Sequence, residues 1–254
     1  MDQITKSESL KIIDGFDLSE RNYMDYSEKL NFKLNNLIYT KTKSLPGLII
    51  KIREGVNNTK IYIGENVKLK KTSISIKQSN ITVYIGDNCD LKSTSILANR
   101  SEGSIVVGNG VTTTSNNTWN LGGSTTGFAA SIIIGDDCML AENVIIRGAD
   151  GHPIVDMESM VQINEPKKSV IIEPYTWVGY GVSILKDVRI GACSIIALGS
   201  VVTKDVPSRH IAAGIPALPR PLNNKSWMRN RTKKAKKMMM KYKNLYPFKG
   251  ESDC

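Results

Sequence analysis

Histidine and cysteine are scarce in this chain of 254 residues, with two of the former and four of the latter. Cys89, Cys138, Cys193 and Cys254 form no CxxC pair, which argues against both a zinc site and a disulfide framework. His152 and His210 stand 58 residues apart, too few and too separate for a three-histidine metal centre in one chain, so no metal is expected. No run approaches the roughly 18 consecutive apolar residues that a membrane span needs. The opening segment MDQITKSESLKIIDGFD mixes acids and bases and lacks the apolar core of a secretory signal. A reducing, cytoplasmic setting is the expectation. Hydrophobic residues at 41% and charged residues at 23% exclude a wholly disordered chain.

Charge of one sign is also missing from most of the sequence. The net charge is +10, yet residues 220–254 hold eleven of the 34 basic residues and only two of the 24 acids. The remainder carries a net charge of only +1. Any attraction to a polyanion therefore starts from the tail.

What the chain does have is a short repeat. Ile63-Gly64, Ile85-Gly86, Val107-Gly108, Ile134-Gly135 and Ile190-Gly191 open similar segments, and the steps 63→85 and 85→107 are both 22. Further on, Ile172, Val178, Ile184, Ile190, Ile196 and Val202 recur every sixth residue. Four positions after each stands a small or β-branched residue: Thr176, Val182, Val188, Ser194, Ser200 or Val206. A period of six matches neither a helix nor simple strand alternation. It fits short strands joined by tight corners, with an inward aliphatic on each face, which is the pattern of a parallel β-helix. The expected fold is all-β: residues 1–60 form an N-terminal cap, 61–222 the β-helix, and 223–254 a basic amphipathic tail. Cys89 and Cys138 occupy small inward positions. A sandwich or barrel with accidental spacing is the competing fold.

Two interruptions break the register, and loops on a rigid scaffold tend to carry function. Residues 112–130 have the polar and glycine content of an exposed loop. Residues 147–171 contain His152 within Asp150-Gly151-His152-Pro153. An imidazole fixed in a Gly/Pro-bounded loop can act as a general base near neutral pH; the plainer reading is a surface histidine. His210 reads as structural or exposed.

The segment from Trp177 to Gly191, with GSVVTKDVP at 199–207 and AGIPA at 213–217, resembles the hexapeptide-repeat acyltransferases. Within them it is most similar to galactoside acetyltransferases and capsular polysialic acid O-acetyltransferases. Gly151-His152-Pro153 is similar to that group's catalytic histidine loop. The resemblance implies a left-handed β-helix, a homotrimer and acetyl-CoA as co-substrate. It implies His152 as general base, Trp177 beside the acyl or acceptor site, and the backbone N–H near Tyr180 as oxyanion donor. Leu198, Thr203 and Lys204 would line the pantetheine and phosphate path, with Pro216 and Arg220 at the adenine end. Lys204 has a separate rationale, because coenzyme A phosphates favour a fixed cation. Asn120 and Asn117 are the candidates to bind the acceptor. The sequence departs from the family pattern at Gly181, where Asn is usual, and at Leu198, where Ala is usual.

The expected activity is O-acetylation of a carbohydrate, of the class of an acidic capsular or surface polysaccharide. An N-acyltransferase acting on an amino-sugar nucleotide and a non-catalytic β-helix binding module are the alternatives. The tail, with Met228, Ala235, Met238, Met239, Tyr242 and Tyr246 at helical spacing, either docks on the β-helix and covers its end or lies on an anionic polymer or membrane. Nucleic acid is not expected, since no nucleic-acid motif accompanies the charge.

Overall fold

The computed structural model describes residues 27–32, 35–41, 45–123 and 129–247. The chain winds as a triangular prism, a left-handed parallel β-helix with three sheets for faces. Face one has eight strands, from Ser27–Phe32 to Arg189–Ile190. Face two has six, from Thr112–Thr113 to Ala217–Pro221, and face three has seven, from Leu48–Ile52 to Val201–Val202. Each upper coil visits the faces in the order one, two, three.

The periodic aliphatics explain the winding. On face one Ile38, Ile61, Val83, Ile105, Ile132 and Val170 lie in register on successive strands. On face three Ile74, Ile96, Trp119, Ile146, Ile184 and Val202 do the same. On face two the column is Leu140, Val178, Ile196 and Ala212. All of these are buried. Burying each large aliphatic is worth about 1.5–3 kcal/mol, which is how strands of only two residues persist. The corner residues Thr176, Val182, Val188, Ser194, Ser200 and Val206 are buried as the hexads require, as are Cys89 and Cys138.

Tight corners force left-handed backbone. Gly181 has φ +66°, and Asn143 and Asn116 take φ +57° and +51° at the same corner of the two preceding coils. Glycine and asparagine are the residues that tolerate this conformation best, so Gly181 meets the same backbone requirement as the family's asparagine.

Three placements differ from the sequence reading. Parallel pairing begins at Asn36–Thr40 and Leu48–Ile52, ahead of the expected boundary at residue 61. The interval 112–130 is not one exposed loop, because Thr112–Thr113 and Asn117–Asn120 are coil strands and Trp119 fills the core. The tail docks along the side of the prism and does not cover its end. In the tail, helix α1 (Lys233–Leu245) follows Thr232, whose hydroxyl accepts the Ala235 N–H. The hairpin of His210–Gly214 and Ala217–Pro221 closes face two.

The tail is fixed at the edge between faces one and two. Trp227 stacks on Tyr175 at 4.5 Å between ring centroids, and Tyr175 stacks on Tyr242 at 4.6 Å. Trp227 Nε1–H donates to the Tyr175 carbonyl, and the Tyr175 hydroxyl donates to the Trp227 carbonyl. Arg229 reaches the carbonyls of Gly110, Asp137 and Cys138, while the Arg209 guanidinium donates to those of Tyr242, Lys243 and Tyr246 at the end of α1. Met238, Met239 and Tyr246 pack against the same cluster. The apolar side that a membrane-lying helix would insert is thus spent on the prism, and the membrane reading loses its physical basis.

Candidate active site

The widest departure from the coil runs from Gly148 to Ser169, leaving face three after Ile145–Arg147 and rejoining face one at Val170–Ile172. Residues 151–161 of this loop are exposed, His152 among them. Its base is nevertheless held. The Asn164 side-chain amide donates to the Asp150 carboxylate (2.8 Å) and to the His152 carbonyl (3.0 Å), and its oxygen accepts the Ile154 N–H (2.8 Å). Lys186, from the neighbouring coil, donates to the Asp150 carboxylate and to the Asn164 carbonyl. One lysine therefore pins both limbs and one amide spans the turn containing His152. Burial pushes the Asp150 carboxyl upward, but the hydrogen bonds from Lys186 and Asn164 outweigh it and leave the pKa below the ordinary carboxylate range. Lys186 and Asn164 were missed in the sequence because they lie 34 and 12 residues beyond His152.

The other candidates fall at different edges. Thr203 and Lys204 are exposed at the edge between faces three and one, the edge that carries the His152 loop. Tyr180 and Leu198 turn outward at the edge between faces two and three, 49% and 72% exposed. Trp177 lies on face two, 36% exposed. Pro216 and Arg220 are exposed in the closing hairpin of face two. One protomer therefore brings His152 and Lys204 to one edge, and Tyr180 and Leu198 to another.

Of the two acceptor candidates, Asn117 is 1% exposed, and its amide donates to the carbonyls of Ser115 and Ala141 at a corner. The amide is thereby spent on the corner, which is what withdraws it from the acceptor role. Asn120 is also buried, at 8% exposed, but it pairs with Arg147 at the root of the His152 loop, and its side-chain oxygen accepts the Gly122 N–H. His210 holds its ring Nδ1 2.9 Å from the Ser208 carbonyl and takes no part in this region. Among the described residues no cluster of three metal-ligating side chains occurs.

Comparison with known proteins adds to this geometry. No family model matches the chain. A polysialic acid O-acetyltransferase of Neisseria meningitidis is 34% identical over 161 residues, covering 63% of this chain and 69% of that protein. The chain belongs to the hexapeptide-repeat acetyltransferases. Another relative, the polysialic acid O-acetyltransferase of Escherichia coli O1:K1, is 47% identical over 87 residues. That match spans 34% of this chain and 28% of the relative's length. The crystal structure of the polySia specific acetyltransferase NeuO superposes with a TM-score of 0.56 at 30% identity, covering 81% of this chain and 87% of that one. As a member of this family the chain shares the all-β prism, and the expected fold holds.

Proposed function

We propose that this protein transfers an acetyl group from acetyl-CoA to a hydroxyl of an acidic surface polysaccharide, with His152 as general base. The observation that carries the reading is the clasp around His152: an exposed imidazole whose carbonyl and flanking residues are tied down by Asn164, Asp150 and Lys186. A base must be held within hydrogen-bond reach of the proton it takes, and this loop has the fixed root that such a task requires. His152 accepts the hydroxyl proton as the acceptor oxygen forms the ester bond, and returns that proton to the departing thiol. Acetyl-CoA, when bound, supplies the acetyl group in activated form. Residues suited to hold it are exposed: Leu198 and Tyr180 offer apolar surface, and Lys204 and Arg220 offer cations for phosphates. The backbone N–H near Tyr180 is assigned to the developing oxyanion, Trp177 to the wall of the acyl or acceptor site, and Asn120 to the acceptor. Thr203 and Pro216 complete the coenzyme A path.

A homotrimer is part of this proposal. The two edges that carry the candidate residues both bound face three, which supports a reading in which a second copy brings one edge against the other. Face three also presents Ile49 and Ile145 outward, 52% and 42% exposed. A cytoplasmic setting is part of the proposal, and the buried thiols of Cys89, Cys138 and Cys193 suit a reducing compartment. The reading is tested by incubating the protein with labelled acetyl-CoA and a panel of acidic polysaccharides, neutral polysaccharides and amino-sugar nucleotides. Label in polysaccharide ester supports it. Label only in an amide of a sugar nucleotide replaces it with N-acyl transfer.

A further inference from the structure

Docking of the tail leaves its charge on one side. Lys233, Lys234, Lys236, Lys237 and Lys241 of α1 are exposed, and Arg231 precedes them. Four lysines in the first five positions of a helix repel one another at spacings of three and four, and no acid stands in the first turn to offset them. Folding gains nothing from this arrangement, so its persistence at a rigidly docked element points to an external anion. Beneath the lysines, between α1 and the edge of faces one and two, runs a groove of about 510 Å³. Its lining includes Asn88, Asn109, Thr112, Asn230, Thr232 and Lys234. Amides and hydroxyls of this kind suit sugar hydroxyls, while the lysine suits a carboxylate. Asp137 is the acid in the lining, and its carboxylate already accepts the Tyr242 hydroxyl at 2.8 Å and lies 3.9 Å from Lys241.

We infer that the outer side of α1 and the groove below it form a binding surface for a carboxylated polysaccharide, separate from the residues that carry the chemistry. The inference rests on the proposed function for the identity of the polymer and deepens it by naming a second point of contact. Charge complementarity favours a polyanion. A polysaccharide is favoured over a bilayer because Met238, Met239 and Tyr242 face the prism. It is favoured over nucleic acid because the lining offers amides and hydroxyls in place of the exposed rings on which bases stack. The edge lies opposite face three, so a trimer that joins the two edges of face three leaves this surface on its outside. It also adjoins the proposed site, since Trp227, at the start of the tail, lies 6.2 Å from Trp177 between ring centroids. A chain held on α1 is thereby kept near that wall, which raises its local concentration.

The test uses the full-length protein and direct binding, not turnover. Polysialic acid and hyaluronate serve as acidic probes, with dextran as the neutral one, DNA as a second polyanion and vesicles containing phosphatidylserine as the membrane probe. Wild type binds the acidic polysaccharides with an affinity that falls steeply as salt rises, and does not bind dextran. In the variant K233Q/K234Q/K236Q/K237Q this affinity falls at least tenfold and its salt dependence flattens, while thermal stability is unchanged or raised and coenzyme A binding is unchanged. Because the substitutions keep the docked Met and Tyr side, a folding defect is read separately from the melting curve. Unchanged binding and salt slope in the variant overturn the inference, as does wild-type binding confined to DNA or vesicles. A wild type that binds acidic polysaccharide through these lysines but transfers no acetyl group upholds the surface and rejects the proposed chemistry.

Discussion

The indole of Trp227 lies 6.2 Å from that of Trp177 between ring centroids, tilted by 42°. The tail residue is buried and the strand residue half exposed, so the basic appendage reaches the wall of the proposed site. Trp227 also stacks on Tyr175 and exchanges two hydrogen bonds with it. Trp227→Ala should release the tail and destabilise the protein by roughly 3–5 kcal/mol, the scale for deleting a buried Trp side chain. Limited proteolysis checks this: cleavage between residues 228 and 245 appears in the variant and not in the wild type.

Cysteine reactivity provides a second view of the same docking. Burial pushes the Cys138 and Cys193 thiols up to about 12, and the Cys193 thiol sits against the Tyr242 carbonyl of α1. Neither thiol forms appreciable thiolate at pH 8, so neither should be alkylated in the native protein. Mass spectrometry after native alkylation should find both unmodified. In Trp227→Ala, Cys193 should react and Cys138, inside the coil, should not.

The clasp around His152 makes a prediction about positioning. Asn164→Ala should lower the transfer rate by roughly tenfold or more, since a small misplacement of a catalytic group is costly, with a smaller effect on the melting temperature. Asp150 sets the pH limits of the clasp. Its carboxyl pKa is depressed in the folded state, so the stabilisation is fully present above the ordinary carboxylate pKa and is lost as pH falls through the lower folded value. The clasp is therefore expected to stay intact across the neutral range and to fail only in acid, below the ordinary carboxylate range. Asp150→Asn removes this acid-side loss of stability, so melting curves of wild type and variant as pH falls below the ordinary carboxylate range check it.

Two glycines of the repeat should respond in opposite ways. At Gly181, φ is +66° and a Cβ would meet nothing within 4 Å, so Gly181→Asn should change the melting temperature little. At Gly191 a Cβ would stand 2.2 Å from the Ser208 backbone nitrogen. Gly191→Ala should cost on the order of 2–4 kcal/mol, because backbone must move to admit the methyl group. Thermal denaturation of the pair checks it.

Much of the prism is legible in the sequence because each hexad aliphatic acts locally and repeats. Ile172, Val178 and Ile184 announce three faces before any contact is known. The interval 112–130 misleads because Thr, Asn and Gly are also corner residues, and Asn116 and Asn117 serve a coil corner while Trp119 fills the core. The start of the helix near Asn36 escapes notice because the spacing there departs from the regular 22. The docking of α1 is legible only as an apolar stripe. Its partners, Asp137, Tyr175, Cys193 and Arg209, stand at the same corner of four successive coils, and nothing local in the sequence shows that the tail returns to that corner. His152 stands out through its loop, whereas Asn164 and Lys186 become meaningful only once the loop closes.

Whether the site is completed between copies is read from mass. Static light scattering should give a homotrimer of the 28.0 kDa chain. A monodisperse monomer with full activity contradicts the shared site.

The most direct test of the account is the acetylation rate of His152→Ala, measured with labelled acetyl-CoA and an acidic polysaccharide that the wild type acetylates. His152 is exposed, so its removal should leave the melting temperature and oligomeric mass unchanged. The rate should fall by at least about a hundredfold, the scale of losing a general base. Turnover near the wild-type value would contradict the assignment of His152 and the mechanism built on it.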